Sequence, residues 1–413
     1  MRISTFQAFL LLAALLRCWP AQAQLRLAGQ VRDAHTQKPL AYASVFLANT
    51  TYGTTTDSTG SFVLTSVPAG QYEVMASYLG YQLYKKNLDV QQNAVLAVSL
   101  QPTATQLEEV EVRPRKNRPA DYQKFLVQFL GNSTLSRQCR IENPQDVVVL
   151  YDESRRELTA VAPHSLRVLN QALGYRITYY NFDFKVFYRA NRCEFVAAPR
   201  FEELPSTDAR QQQRWNASRR QAYAGSLPHF LRSVRENRIS EEGFVVQKMV
   251  VELNSAETQQ RIAQLRDSLA AVLVPESGLL ARVYKQPLQA AQICRPSTSP
   301  TTCALYFANS LQVTYQREQP DAVYAAYVAE TRSNTLRDAA AAKWLGGQTK
   351  TALGKAVYEP VAEESQLRWL GPEALILPNG YLTNPLSLKV DGYWSFEKIG
   401  EALPLDYVPA LLK

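Results

Sequence analysis

Histidine is scarce. The 413-residue chain holds only His35, His164 and His229, and methionine is equally rare at three. Catalytic zinc takes three protein ligands and a water, which demands closely spaced His and Glu with a further ligand in reach. His164 is followed by Ser165, Leu166 and Arg167, and His229 by Phe230, Leu231 and Arg232, so neither begins such a set. Both read as surface or packing residues, and the spacing argues against a zinc peptidase. The chain also lacks a G-x-S-x-G elbow for a serine nucleophile and a G-x-x-x-x-G-K-[ST] phosphate loop. Its neighbouring carboxylates, Glu202-Glu203, Glu241-Glu242 and Glu363-Glu364, do not face one another on a helix and point oppositely on a strand. No enzymatic activity, cofactor or metal is therefore expected. The alternative is a hydrolase, glycosidase-like or peptidase-like, whose carboxylates come together from distant strands. Beyond the first 23 residues no run of ~18 apolar residues is free of charge, so no spanning helix is expected.

Export, in contrast, is written at the start. Arg2, the apolar run Phe9 to Leu16 and the small-residue site Ala21-Gln22-Ala23 form a signal peptide over residues 1–23, leaving a mature chain from Gln24. Cys18 follows the bulky, charged Arg17, not the small residue of a lipobox. The expected location is the periplasm or the outer-membrane or cell surface, which removes nucleic acid as a partner. With 46% hydrophobic and 20% charged residues the chain suits about two globular domains, and its formal charge of +8 is mild for this length. Four of five cysteines survive signal removal: Cys139, Cys193, Cys294 and Cys303. An even count in an exported chain suggests disulfides. Cys294 and Cys303 flank the turn-like spacer Arg295 to Pro300, leaving Cys139 with Cys193, although two other pairings and buried free thiols stay open.

The most legible stretch runs from Gly29 to Tyr81. Leu25, Leu27, Gly29 and Val31 alternate with Arg26, Ala28 and Gln30, the period of a half-buried strand. Val45 and Leu47, Phe62 and Leu64, and Tyr72, Val74, Ala76 and Tyr78 repeat it. Between them, Asp57-Ser58-Thr59-Gly60 and Pro68-Ala69-Gly70 carry turn chemistry. Short strands at this spacing predict an antiparallel sandwich.

The run G-x-V-x-D-x-x-T-x-x-P-L-x-x-A-x-V from Gly29 to Val45, with T-D-S-T-G-x-F and L-G-Y after it, resembles the carboxypeptidase-regulatory-like domain. The resemblance implies a transthyretin-like Greek-key sandwich over residues 24–101 and carries no catalytic residues. Such domains stand at the mature N-terminus of many Bacteroidetes-type envelope receptors and anchoring proteins. Two later stretches, Ala172 to Ile177 and Gly392 to Ser395 followed by Leu403 to Tyr407, resemble the C-terminal part of Bacteroidetes proteins that carry this domain.

Residues 102–119, with Pro102, Pro114 and Pro119 and the basic run Arg113 to Arg118, read as a linker. Within it, Leu107 to Val112 resembles the extended segment that follows the same sandwich in TonB-dependent receptors, where a partner adds as a strand; a closing strand is the simpler reading. Residues 120–413 read as a larger α+β domain of unassigned function. Helices are expected over Tyr122 to Leu130, Thr207 to Arg220, Leu227 to Arg235 and Thr258 to Val272. Strands are expected over Val147 to Tyr151, Leu158 to Val161, Arg176 to Phe187, Cys193 to Phe201, Cys303 to Tyr315, Val323 to Ala329 and Leu386 to Trp394. The candidate partner-binding residues are Arg210, Arg214, Trp215, Arg219, Arg220 and Tyr223, a basic helix with interleaved aromatics. In an exported chain that helix suits an envelope protein or glycan, against the plainer reading of a solvated face with Trp215 packed inward. The functional expectation is a non-catalytic envelope protein of binding or assembly.

Overall fold

The computed structural model describes residues 24–103, 117–273, 278–297, 299, 301–330 and 362–409. The expected signal peptide, the segment Leu107 to Val112 and most of the expected linker lie outside the described residues. The chain divides into two compact units, one of Met1–Ala48 with Tyr52–Leu107, the other of Asn49–Thr51 with Glu108–Lys413.

The first unit is built from β1 (Leu25–Asp33), β2 (Ser44–Leu47), β3 (Gly53–Thr55), β4 (Ser61–Val67), β5 (Gly70–Ser77), β6 (Tyr84–Val90) and β7 (Ala94–Leu100). They form two sheets, ordered β4-β1-β7 and β3-β2-β5-β6, so the chain passes repeatedly from one sheet to the other. Every ladder is antiparallel except that of β1 with β7, which is parallel. A parallel pair needs a long crossover, and the five intervening strands supply it. Leu27, Val31, Val45, Leu47, Phe62, Leu64, Val74 and Val98 fill the space between the sheets. Gly29 belongs to the inward row because a Cβ there would meet Leu96 O at 2.1 Å and the Phe62 ring at 2.7 Å.

The turn residues act as their chemistry predicts. Asp57 Oδ1 accepts from Thr59 N, Thr59 Oγ1 and Ser61 N at 2.7 to 3.0 Å, and Gly60 takes φ of +72°. The motif's separated Asp and Tyr meet: the Tyr81 hydroxyl donates to Asp33 Oδ2 at 2.6 Å, while His35 N and Thr36 N donate to Oδ1. The Tyr81 hydrogen bond, with the backbone donors, holds the Asp33 carboxyl down to about 2.

In the second unit, α1 (Pro119–Leu130) lies on a sheet of β8 (Cys139–Ile141), β9 (Val148–Asp152), β10 (Glu157–Asn170), β11 (Tyr175–Phe187) and β12 (Arg192–Glu203). The order is β12-β11-β10-β8, with β9 also pairing β10. Phe125 and Phe129 of α1 lie one turn apart and stack at 5.3 Å; edge-on contacts with Phe182 and Phe184 make an aromatic core. The chain continues through α2 (Ala209–Tyr223) and α3 (Leu227–Arg235) to β13 (Phe244–Leu253) and α4 (Ala256–Gln264). Then come β14 (Leu269–Leu273), β15 (Leu279–Pro287), β16 (Cys294–Pro296), β17 (Cys303–Leu305) and β18 (Ser310–Tyr315), followed by β19 (Glu363–Trp369), β20 (Ala374–Ile376) and β21 (Leu388–Gly392). A six-stranded sheet ordered β14-β15-β13-β18-β19-β21 carries a second core, in which Phe230, Leu231 and Val234 of α3 pack against Phe244, Val313 and Leu367.

Three expectations are corrected. The helix expected over Thr258 to Val272 stops at Gln264, and Leu269–Leu273 becomes β14 because pairing with β15 outweighs the helix propensity of Leu and Ala. Val323 to Ala329, expected as a strand, lies in a helix over residues 322–330. Cys139 and Cys193 are free and do not pair; Cys139 sits in β8 and Cys193 in β12, which β10 and β11 separate within the sheet. Cys294 and Cys303 are bridged, at the ends of the antiparallel pair β16-β17. Peptide mapping of the protein without reduction is expected to recover them linked, with Cys193 alkylated; alkylation of both Cys294 and Cys303 would reject the bridge.

Candidate binding face

Strand alternation decides which side chains of the β8–β12 sheet meet solvent. Leu166, Val168, Ile177, Tyr179 and Phe201 point into the aromatic core, so the residues between them project outward. Register then assembles them into rows. Arg167 lies opposite Thr178, and Thr178 opposite Arg200. Alongside runs the row Arg140, Leu169, Arg176 and Glu202, and on the other flank Ser165, Tyr180 and Ala198. Four arginines therefore share one face with two carboxylates, Glu142 and Glu202.

Both carboxylates are engaged. Arg176 holds Glu142 with two contacts, Nε to Oε2 at 2.8 Å and Nη2 to Oε1 at 3.2 Å, and Arg200 pairs Glu202 at 2.9 Å. The Arg176 hydrogen bond, with Arg140 and Arg167 nearby, holds the Glu142 carboxyl below the usual range. Arg140 and Arg167 are exposed, and their guanidinium groups make no hydrogen bond or ion pair among the described residues. Arg167, Arg176, Arg200, Thr178 and Tyr180 line an open groove of about 580 Å³. A second, of about 770 Å³, runs beside α2 past Gln171, Leu204, Arg214 and Trp215.

The helix singled out in the sequence divides into two sets. Trp215, Arg219 and Tyr223 are buried, whereas Arg210, Arg214 and Arg220 are exposed. Trp215 Nε1 donates to Gln171 O at 2.9 Å, and its ring lies against Gly174, where a Cβ would come within 2.3 Å of it. Arg219 donates to Leu173 O, Gly174 O and Glu203 Oε1, and its guanidinium lies 4.1 Å over the Tyr175 ring. Trp215 and Arg219 thus clamp the β10–β11 turn; Tyr223 stacks on His229 at 4.7 Å. The Ala172 to Ile177 motif is that turn. The later motif is also structural, since Arg232 donates to Leu405 O and Tyr407 O, and Trp394 Nε1 to Gly225 O. The sequence pointed to α2 and did not single out Arg140, Arg167, Arg176 and Arg200 on the sheet. The signal available was polar residues at alternate positions of three successive strands.

Carboxyls also converge in the second core. Glu363 on β19 stands opposite Tyr315, is 4% exposed, and its Oε2 has no hydrogen-bond partner. Burial, then Glu318 and Glu401, push it up to about 8. Burial raises Glu401 to about 6 and also lifts Glu397 and Glu318. His229 is occupied on both ring nitrogens: Gly225 N donates to Nδ1 at 3.2 Å, and Nε2 lies 3.4 Å from Glu242 Oε2. Burial lowers its pKa, and the Ser226 hydroxyl, which donates to Tyr223 O and accepts from His229 N, caps α3. His35 and His164 are exposed. Among the described residues no group of three or more His, Cys, Asp or Glu could hold a metal ion, and no helix is long and apolar enough to cross a membrane.

No curated protein matches this chain in sequence. Among solved structures, catechol 1,2-dioxygenase from Acinetobacter is 13% identical, with a TM-score of 0.18, over 21% of this chain and 55% of that one. A cohesin–X-dockerin complex from Acetivibrio cellulolyticus is 18% identical, with a TM-score of 0.18, over 27% of this chain and 76% of that one. A DUF3823 family protein from Bacteroides uniformis is 11% identical, with a TM-score of 0.15, over 45% and 85%. Likenesses this slight say nothing of function. The family likeness lies in the sandwich: residues 27–112 match the CarboxypepD_reg-like domain.

Proposed function

We propose that this is an exported protein of the cell envelope, of the Bacteroidetes type, that acts by binding or assembly and not by catalysis. In this reading the sandwich is a stable module and ligand choice resides in the second unit. The carrying observation is the contrast between its two groups of charged residues. The basic residues lie on an open, grooved face with two guanidinium groups unengaged, as a docking surface requires. The carboxyls converge under cover, with Glu363 turned into the core where a substrate has no approach. The signal-peptide pattern and the Cys294–Cys303 bridge agree with an oxidising location.

Affinity capture tests the reading. Mature protein immobilised on a support and exposed to native envelope material is expected to retain a defined partner that elutes as salt is raised. Hydrolysis of envelope polysaccharide or peptide by the purified protein would overturn it in favour of an envelope hydrolase.

A further inference from the structure

The geometry points to a carboxylate-bearing polysaccharide as the occupant of the groove across the outer face of β10, β11 and β12. This rests on the binding role proposed above and names the ligand class for it.

Charge is the first ground. Four guanidinium groups project from adjacent strands, and among the described residues the carboxylates beside them, Glu142 and Glu202, are already paired with Arg176 and Arg200. Arg140 and Arg167, whose guanidinium groups are unengaged among the described residues, are diagonal neighbours across β8 and β10, roughly 7 to 8 Å apart. Like charges held this close on a rigid sheet repel, and anionic groups laid between them relieve the repulsion. The second ground is geometric. Guanidinium presents a planar fork that matches the two oxygens of a carboxylate, and Arg176 already grips Glu142 in that way on this same face.

Lining chemistry separates a polysaccharide from an acidic protein. Protein partners are gripped through large anchors, chiefly Trp, Tyr and Arg, sunk in well-packed, desolvated pockets, and this groove is open. This groove is lined by charged groups, by the hydroxyls of Ser165, Thr178 and Tyr180, and by no large aliphatic side chain. Hydroxyl-bearing side chains between cations suit a polyhydroxylated chain carrying acid groups. An open groove, not a closed cavity, suits a polymer more than a small molecule.

Polygalacturonate is the probe, neutral dextran its control, and the full mature chain the protein. Saturable binding of polygalacturonate at low ionic strength, with none of dextran, is expected. Because Arg140 and Arg167 contribute nothing to the core, R140E/R167E should retain its circular dichroism spectrum and lose affinity roughly tenfold or more. The milder R140Q/R167Q should fall between. K85E/K86E, which makes the same change of net charge on exposed residues of β6, should bind as the unaltered protein does. Equal losses in R140E/R167E and K85E/K86E would reduce the effect to net charge and overturn the proposal, as would failure to bind polygalacturonate. If the envelope partner is captured equally well by R140E/R167E, the binding role stands and the ligand assignment falls. Capture of an acidic protein through Arg140 and Arg167 would likewise overturn the ligand class.

Discussion

Raising the pH from about 6.5 to about 8.5 is expected to lower the unfolding free energy by at least about 2 kcal/mol, and Glu363→Gln to remove about 2 kcal/mol of that loss. Glu363 titrates at about 8 in the fold against 4.5 for an ordinary glutamate. Between those values the folded protein holds a proton that the unfolded chain has released. Its contribution to stability is therefore complete in mild acid and disappears as pH rises through about 8. The physical cause is burial at the end of the β18–β19 ladder, with Glu318 and Glu401 disfavouring a further negative charge and the Tyr393 hydrogen bond opposing them. Glu397, which burial and Glu401 also push up, adds in the same direction. His229 works oppositely: its depressed pKa costs stability as pH falls through 6.5, below this window. Urea denaturation at the two pH values reads the effect, since Gln has the shape of the protonated acid and cannot ionise. Glu363→Gln should also exceed the unaltered protein in stability at the higher pH. An unchanged slope in the variant would assign the titration elsewhere.

Arg219→Ala is expected to destabilise the second unit by about 3 kcal/mol, whereas Arg210→Ala and Arg220→Ala should stay within about 0.5 kcal/mol. All three arginines stand on α2, and composition does not tell them apart. Arg219 is 5% exposed and supplies the Leu173 carbonyl with a buried donor, a second bond to Gly174 O and cover for the Tyr175 ring. Truncation leaves the Leu173 carbonyl buried without that donor and opens space beside the Tyr175 ring. Glu203 is largely exposed at its side chain and rehydrates, so the ion pair itself contributes little to the loss. Arg219→Lys keeps the charge but not the fork, and should lie in between. Chemical denaturation followed by tryptophan fluorescence reads this well, because Trp215 packs on the same turn. A cost under about 1 kcal/mol for Arg219→Ala would mean that the turn does not depend on this clamp.

The sequence by itself determined the sandwich. Its turns are local: Asp57 satisfies amides two and four residues ahead, Gly60 supplies positive φ, and alternation over a few residues names the buried row. Such interactions close within a handful of positions, so they are readable before any fold exists. The Cys294–Cys303 bridge shares this property because a short spacer brings its ends together.

Only the tertiary structure decided the rest, because its determinants lie far apart along the chain. Leu269–Leu273 is a strand since β15 offers it a ladder. Which arginines of α2 are structural followed from where the β10–β11 turn came to rest against the helix. The basic face draws Arg140, Arg167, Arg176 and Arg200 from four strands, and a shift of one residue in any ladder would turn that strand's contribution into the core. Register, set by packing Phe125 and Phe129 against the opposite side of the same sheet, is what gathers these charges on one surface.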